Sequence, residues 1–349
     1  MKRFFSFSLL ATLFAPFVAS AHEVYVLTPG QISEDLAKPP FDMVAVLLAD
    51  MHLFVFWAFI GILMVMIVFL ISISRRFENA VDPMLMKLKK HAPFVSRVTI
   101  GLAFLAAAFF GASYGPELPF LASFGAYTPL IVALFVVTGI LITIGLYTRI
   151  AAGVALLIFL ANVYFHGEYM LTYANYLGEI LVLLILGAHT WGLDTLRHGK
   201  KPGAMSKYTR MFAPFAFMIL RVSFGISLLY ASIYAKFLHN HLALQVASGQ
   251  FGGHALSLAQ TLGFEPHFLV LGAGIVEIVI GLFFLLGIEI RFTALFLEFW
   301  LALSLYYFGE TVWPHLVLIG IPIAFIFYGY DKYSLEGLFF KRGKREPVL

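Results

Sequence analysis

Nine long apolar segments constrain this chain more than any other feature of its sequence. Each is long enough, or nearly so, to cross a hydrocarbon layer of about 30 Å as a helix. They cover residues 45–74, 97–114, 127–148, 150–166, 174–192, 212–236, 267–288, 292–308 and 313–330. With 61% apolar and 12% charged residues, the composition excludes a water-soluble globule, a disordered chain and a nucleic-acid-binding module. The sequence therefore predicts an all-α polytopic membrane protein that lies in a lipid bilayer.

The first residues have the pattern of a secretory signal peptide. Residues 1–21 begin with the basic pair Lys2 and Arg3, continue with an apolar stretch, and end in the cleavage motif Ala19-Ser20-Ala21. An uncleaved first span is the alternative. In both cases the polar residues 22–44 are expected outside the cytoplasm, as a short periplasmic segment.

The basic residues predict the orientation of the chain. If residue 22 lies outside, 19 Lys and Arg side chains fall on the cytoplasmic side and only Lys38 and Lys236 fall on or near the outer side. This asymmetry obeys the positive-inside rule and accounts for the net charge of +4 without a nucleic-acid partner. We expect a bacterial inner-membrane protein with a periplasmic mature N-terminus. The cytoplasmic parts would be a loop at 75–96, a linker at 196–212 and a basic tail at 332–349.

An internal repeat divides the apolar segments into two groups of four. Arg97 and Gly101 correspond to Arg221 and Gly225 at an offset of 124 residues. Further matches have offsets of 142 (Gly139, Gly145 and Arg149 with Gly281, Gly287 and Arg291) and 137 (Gly192-x-Asp194 with Gly329-x-Asp331). Four spans per unit give both units the same direction. The prediction is two parallel four-helix transmembrane repeats, at 97–195 and 213–331, preceded by one extra N-terminal transmembrane helix at 45–74.

Short motifs in the second repeat carry a family resemblance. They are Arg221-x-x-x-Gly225, Lys236 at the outer end of the same helix, Gly263-Phe264-Glu265-Pro266, and the run from Glu277 and Gly281 through Gly287 to Arg291. This pattern resembles the DoxX-like family of bacterial membrane proteins, and the first repeat is similar to a degenerate version of it. The resemblance implies a four-helix membrane bundle linked with membrane redox systems, including thiosulfate–quinone oxidoreduction.

Ionisable side chains inside the apolar segments are the first candidates for a functional site, because each costs at least about 2.5–3.5 kcal/mol at mid-membrane. Counting 1.5 Å per residue places Lys236 and Glu277 at similar depths on consecutive helices. The first repeat has Ala112 and Phe135 at the matching positions, so both charges are missing together. An ion pair is therefore expected. It can serve as a structural pin between helices or as a site for protons or a ligand headgroup. Glu298, on the next helix, either extends a carboxylate track inward or is a neutral, hydrogen-bonded side chain.

Histidines and carboxylates gather at the predicted outer face. His166, Glu168, Glu310 and His315 are expected to border an outer vestibule. A second group consists of His22, His239, His241, His254 and His267. Imidazoles of this kind bind copper or zinc, but the group has no tight metal-binding spacing. Histidine is also frequent in ordinary surface loops, so metal binding is one of two interpretations.

Two functions follow from these features. The first is a quinone-binding or anchoring component of a membrane redox system, with periplasmic or membrane redox proteins as partners and a quinone as its cofactor. The alternative is a non-enzymatic binder or carrier of a metal ion or small solute at the periplasmic face. The chain has no cysteine, so thiolate chemistry is excluded, and it carries no nucleotide-binding or hydrolase motif. Whether it is an enzyme stays open.

Overall fold

The computed structural model describes residues 26–198, 206–309 and 312–340. Within these ranges the chain is helical, and the one β-type contact is an isolated bridge between Ala112 and Pro119. The predicted signal peptide and the last nine residues of the basic tail lie outside the described residues. The all-α prediction is confirmed.

The N-terminal part contains two short helices and one long helix. Helix α1 (Pro29–Ala37) begins with a capping box formed by Thr28 and Gln31, and α2 (Met43–Asp50) is capped by the side chain of Asp42. Helix α3 (Phe54–Leu88) then runs without interruption for 35 residues.

The predicted bounds of this region need two corrections. The segment 45–74 is broken at residues 51–53, and the supposed loop at 75–96 is helical as far as Leu88. A three-residue 3₁₀ turn then leads into α4. Residues 84–88 are Met, Leu and Lys, which favour helix, so α3 extends beyond its apolar part even though Pro83 lies within it.

The first predicted repeat contains four principal helices. These are α4 (Ala92–Phe110), α6 (Thr128–Ile144), α7 (Thr148–His166) and α8 (Ala174–Leu186), with short helices α5 (Phe120–Phe124) and α9 (Leu193–His198) in the connections. A 3₁₀ helix, Gly167–Tyr173, joins α7 to α8.

The second predicted repeat has the same order of principal helices and a longer first connection. The helices are α10 (Ser206–Ile233), α13 (Pro266–Leu286), α14 (Ile290–Phe308) and α15 (Pro314–Tyr328); the connection after α10 holds α11 (Asn240–Ser248) and α12 (Leu258–Leu262). A π-helix, Tyr234–Leu238, extends α10, and a second π-helix, Glu336–Phe340, follows α15.

Seven helical stretches in the described chain are long and apolar enough to cross a membrane. They are Phe54–Ile73, Met84–Phe110, Phe120–Ile144, Thr148–Leu186, Lys207–Leu238, Pro266–Leu286 and Ile290–Phe308. The stretch Thr148–Leu186 contains both α7 and α8, while α15 is apolar but only 15 residues long. A multi-pass membrane protein is thus supported by length and composition, and the count of nine spans stays a prediction.

Contacts between the two groups of helices are reciprocal. Helix α8 packs on α10, and α15 packs on α4. At the first contact a Cβ on Gly178 would lie 2.8 Å from Ser223 Cβ, and at the second a Cβ on Gly320 would lie 2.6 Å from Thr99 Cβ. Thr99 and Ser223 are 124 residues apart, and Gly178 and Gly320 are 142 apart. The repeat remains a prediction, and these close approaches support it.

Polar contacts at the predicted inner ends favour a single offset of 142. The Nε groups of Arg149 and Arg291 donate to the carbonyls of Leu184 and Ile326, respectively, each at 3.1 Å. Asp194 N donates to Gly145 O at 2.8 Å, and Glu336 N donates to Gly287 O at 2.9 Å. The proposed match of Asp194 with Asp331 is therefore wrong by five residues, because Glu336 makes the equivalent contact.

Candidate functional site

Lys236 and Glu277 face each other between α10 and α13. The distance between Lys236 Nζ and Glu277 Oε2 is 2.8 Å, and the side chains are 4% and 17% exposed. The depth count had placed them on the same level, and the structure brings them together. Their role is not decided by this contact.

Lys236 lies in the π-helical turn that ends α10. The turn places one extra residue in the helix, and the backbone N–H of His239 donates to Tyr234 O at 2.9 Å. Such turns are rare and occur frequently at functional sites. Gly274 of α13 lies beside the lysine, and a Cβ there would be in ordinary van der Waals contact, 3.6 Å from Lys236 Cδ. The widened turn therefore brings the ammonium group against Glu277.

Glu277 also borders a cavity of about 70 Å³. Elements from both groups of helices form its wall. The lining residues are Thr172, Tyr173, Asn175, Tyr176, Ser227, Leu228, Ala231, Glu277, Leu297, Trp300, Leu301, Pro314 and Leu318. The volume suffices for a few water molecules. We call this space the central cavity.

Polar groups occupy one side of the central cavity and aromatic rings another. Ser227 Oγ donates a short hydrogen bond to Thr172 O and lies 3.3 Å from Asn175 Oδ1. Both Ser227 and Asn175 are buried. Because Tyr173, Tyr176 and Trp300 complete the wall, the space combines aromatic surfaces with a carboxylate, an amide and a hydroxyl. This composition is typical of sites for small ligands with a ring and polar substituents.

Glu298 is not part of this wall. It is half-buried on α14, where Leu297 and Leu301 face the central cavity instead. The carboxylate track from Glu277 to Glu298 therefore remains without support from the described contacts.

The predicted outer vestibule is only partly described. His166 Nε2 lies 2.9 Å from Ser123 Oγ, Glu168 is exposed, and His315 is buried at the start of α15. Glu310 lies outside the described residues. A common vestibule for these four residues stays a prediction.

The outer histidines have separate hydrogen-bond or stacking partners, although His241 and His267 both pack edge-on against Phe41. His239 packs on Tyr234 and His254 stacks on Tyr307, with ring centroids 4.5 and 4.7 Å apart. His241 Nε2 lies 3.1 Å from Pro39 O, and His267 Nδ1 lies 2.8 Å from Glu265 Oε1. Among the described residues, no three His, Asp or Glu side chains are grouped closely enough to hold a metal ion. His22 is not described, and copper or zinc binding stays a prediction without a described cluster.

Two carboxyl groups that tertiary contacts shield from solvent are not predicted by the sequence. Glu179 is fully buried on α8, with Thr99 Oγ1 3.5 Å from its Oε1. Glu117 follows a glycine-containing turn outside the apolar segments, so its position in the sequence does not indicate burial. Its Oε1 accepts hydrogen bonds from Tyr169 Oη at 3.0 Å and, at shorter range, from Tyr173 Oη. The spacing of Tyr169, Tyr173 and Tyr176 was the available signal for a polar partner.

One of three comparisons with known proteins found a match, and it covers part of this site. Neither the comparison with curated proteins nor that with solved structures found a match to the chain. The matched stretch in the family comparison runs from within α10 to just beyond α14 and includes both members of the Lys236–Glu277 pair. Residues 216–310, in the C-terminal part of the chain, match the DoxX family model, as the resemblance of the second repeat predicted.

Proposed function

We propose that this protein is a membrane component of a redox system and binds the headgroup of a quinone in the central cavity. One observation carries the proposal. The carboxylate of Glu277, which pairs with Lys236, lines the same cavity as the aromatic rings of Tyr173, Tyr176 and Trp300. The family match supports it, because DoxX proteins are generally associated with membrane redox systems. A periplasmic or membrane redox protein would supply or remove electrons, since the chain has no cysteine for a thiol-based centre.

The residues have distinct tasks in this proposal. Tyr173, Tyr176 and Trp300 contact the faces and edge of the ring, while Asn175 and Ser227 hydrogen-bond one ring oxygen. Glu277 accepts a hydrogen bond from a hydroxyl at the other end, and Lys236 holds that carboxylate in place. A quinone ring needs more room than the present cavity of about 70 Å³. Binding therefore includes a side-chain movement, for which Trp300 is suited because it is only half-buried.

Fluorescence quenching by decylubiquinone tests this function. We expect saturable quenching of the purified protein, with most of the specific signal lost in Trp300→Phe. Trp57→Phe is the matched control, because Trp57 is 54% exposed on α3, away from the central cavity. Glu277→Gln should weaken binding of the reduced form, decylubiquinol, about tenfold or more, since its ring hydroxyl donates to the carboxylate and a hydrogen bond to a charged group contributes about 1.5–3 kcal/mol. Quenching that does not saturate, or that survives in Trp300→Phe and disappears in Trp57→Phe, would contradict the proposal.

The orientation of the chain belongs to the same proposal. With a periplasmic N-terminus and a cytoplasmic C-terminus, the connections at 111–119, 167–173 and 239–265 lie on the periplasmic side, toward a periplasmic redox partner. The support is the distribution of 19 basic residues against two. Reporter fusions after Lys201 and after Leu349 should both report a cytoplasmic location, and a periplasmic signal from either one would disprove this orientation.

A further inference from the structure

Glu117 is a carboxyl group held by tyrosines at the edge of the bundle. It lies in the connection between α4 and α5, and its side chain is partly buried, with Oε2 shielded from solvent. Gly115 leaves the space for this arrangement, because a Cβ there would lie 2.0 Å from Tyr173 Oη and 2.4 Å from Glu117 Oε2. The hydroxyls of Tyr169 and Tyr173 both donate to Glu117 Oε1.

The titratable groups recorded around Glu117 are tyrosines. They come from its own connection, the 3₁₀ helix, α8 and the π-turn after α10: Tyr114, Tyr169, Tyr173, Tyr176 and Tyr234. Burial raises the pKa of the Glu117 carboxyl above its usual range, and the tyrosine hydrogen bonds offset part of that rise. This environment therefore favours the neutral form of Glu117 more than water does.

Tyr173 joins two places that the sequence keeps far apart. Its hydroxyl donates to Glu117, and its side chain also lines the central cavity beside Glu277. Tyr169 makes the first contact, but it is not among the cavity-lining residues. The two tyrosines therefore form a natural comparison, because both bind the same carboxylate oxygen and only one of them reaches the cavity.

We propose that Glu117 is a proton-binding site that exchanges its proton with the central cavity through the hydroxyl group of Tyr173. The inference deepens the proposed function and rests on it for the identity of the proton donor, a hydroxyl of the bound ring. In the transfer, the O–H bond of the ligand breaks and its proton binds to Tyr173 Oη. The original Tyr173 proton moves to Glu117 Oε1. The negative charge passes from Glu117 to the ligand oxygen, so charge and atoms balance without an oxidant.

Infrared difference spectroscopy of the ligand-free protein tests the proton site itself. Wild type minus Glu117→Gln should show a carboxyl band that disappears as the group ionises with rising pH, and the ionised form is the one that accepts a proton from the ligand. Tyr169→Phe and Tyr173→Phe should both shift that band, because each removes one hydrogen bond to the same oxygen. Stability gives a second readout. Since the folded-state pKa is raised, Glu117 stabilises the fold at low pH and this contribution is lost as pH rises through the raised pKa. Glu117→Gln should lack that loss. A carboxylate ionised throughout the neutral range would overturn the proposal.

The link to the central cavity is tested by changing the charge there. Glu277→Gln removes the negative charge beside Lys236, so it should lower the pH at which the Glu117 band titrates. Lys236→Met removes the positive charge, so it should raise that pH. Tyr173→Phe should reduce these shifts, and Tyr169→Phe should leave them in place. Equal shifts in the two tyrosine variants would overturn the route through Tyr173.

A ligand experiment separates this inference from the proposed function. Binding of decylubiquinol, the reduced form that carries the ring hydroxyls, should be coupled to proton uptake by Glu117, measured as growth of its protonated infrared band. That coupling should be lost in Tyr173→Phe and kept in Tyr169→Phe. If wild type binds neither decylubiquinone nor decylubiquinol, the proposed function fails, while the titration of the ligand-free protein still decides whether Glu117 binds a proton.

Discussion

Replacing Lys236 by Met or Glu277 by Gln should each lower the melting temperature of the detergent-solubilised protein, and the double replacement should restore much of the loss. The two side chains are largely buried and their charged atoms are 2.8 Å apart, so removing one member takes this counter-charge from the other, which stays desolvated. For a fully buried pair that costs about 3–5 kcal/mol. The loss here should be nearer the lower end, because Glu277 is 17% exposed and the remaining group can lose its charge by exchanging a proton.

A double-mutant cycle on thermal stability measures this coupling. Glu168→Gln is the matched control, since Glu168 is exposed and should change stability little. If the pair is only a pin, the double variant should also recover ligand binding; if it is part of the site, binding should stay impaired although stability returns. Strictly additive stability losses would show that the two side chains are not coupled.

A second large effect is expected at the predicted cytoplasmic end of the second repeat. Arg221 Nε donates to Asp331 Oδ2 at 2.6 Å, and both side chains are at most 3% exposed. The same guanidinium also donates to the carbonyls of Phe284 and Leu285. Asp331→Asn should therefore destabilise the protein by about 3–5 kcal/mol, because the buried cation loses its counter-charge.

Asp194→Asn is the comparison for this substitution. Asp194 accepts hydrogen bonds from the backbone N–H groups of Tyr147 and Thr148 at 2.8 and 2.9 Å. These groups lie at the start of α7, so the Asp194 side chain caps that helix. Its loss should cost only about 0.5–2 kcal/mol. Chemical unfolding of both variants measures the difference. A loss for Asp331→Asn no larger than that for Asp194→Asn would mean that the backbone carbonyls alone satisfy Arg221.

The first repeat shows why such an ion pair was hard to predict from sequence. Arg97 matches Arg221, yet it donates to the carbonyls of Ala188 and Trp191. The position 142 residues before Asp331 is His189. An imidazole is neutral or cationic and supplies no negative charge; burial and the nearby Arg97 lower the pKa of His189, which favours the neutral ring. The arginine is thus retained in both units, while its partner changes from backbone oxygen to carboxylate.

Regular helix geometry explains which predictions succeeded. Apolar segments of sufficient length determine helices, because backbone groups in a membrane have no other partners. A fixed rise of 1.5 Å per residue then places Lys236 and Glu277 at one level. Both arguments use only properties that repeat along a helix, and neither needs knowledge of distant contacts.

Features that depend on tertiary contacts were not accessible in the same way. The π-turn at Tyr234–Leu238 adds one residue to an apolar helix without a sequence signal. Glu117 becomes buried only because tyrosines more than 50 residues later fold over it. The histidines at 239 and 241 were candidate metal ligands because of their residue type and shared loop. The first packs on Tyr234, and the second turns toward Pro39.

The most direct measurement of the central claim is photolabelling with an azido-quinone, followed by peptide mapping by mass spectrometry. The protein should be reconstituted in lipid and labelled with and without excess decylubiquinone. We expect label on cavity-lining residues of α8, α10 and α14, such as Tyr176, Leu228 and Trp300, with the excess ligand suppressing it. Label spread over outward-facing positions such as Phe54 and Val65 of α3, and unchanged by competition, would contradict quinone binding in the central cavity.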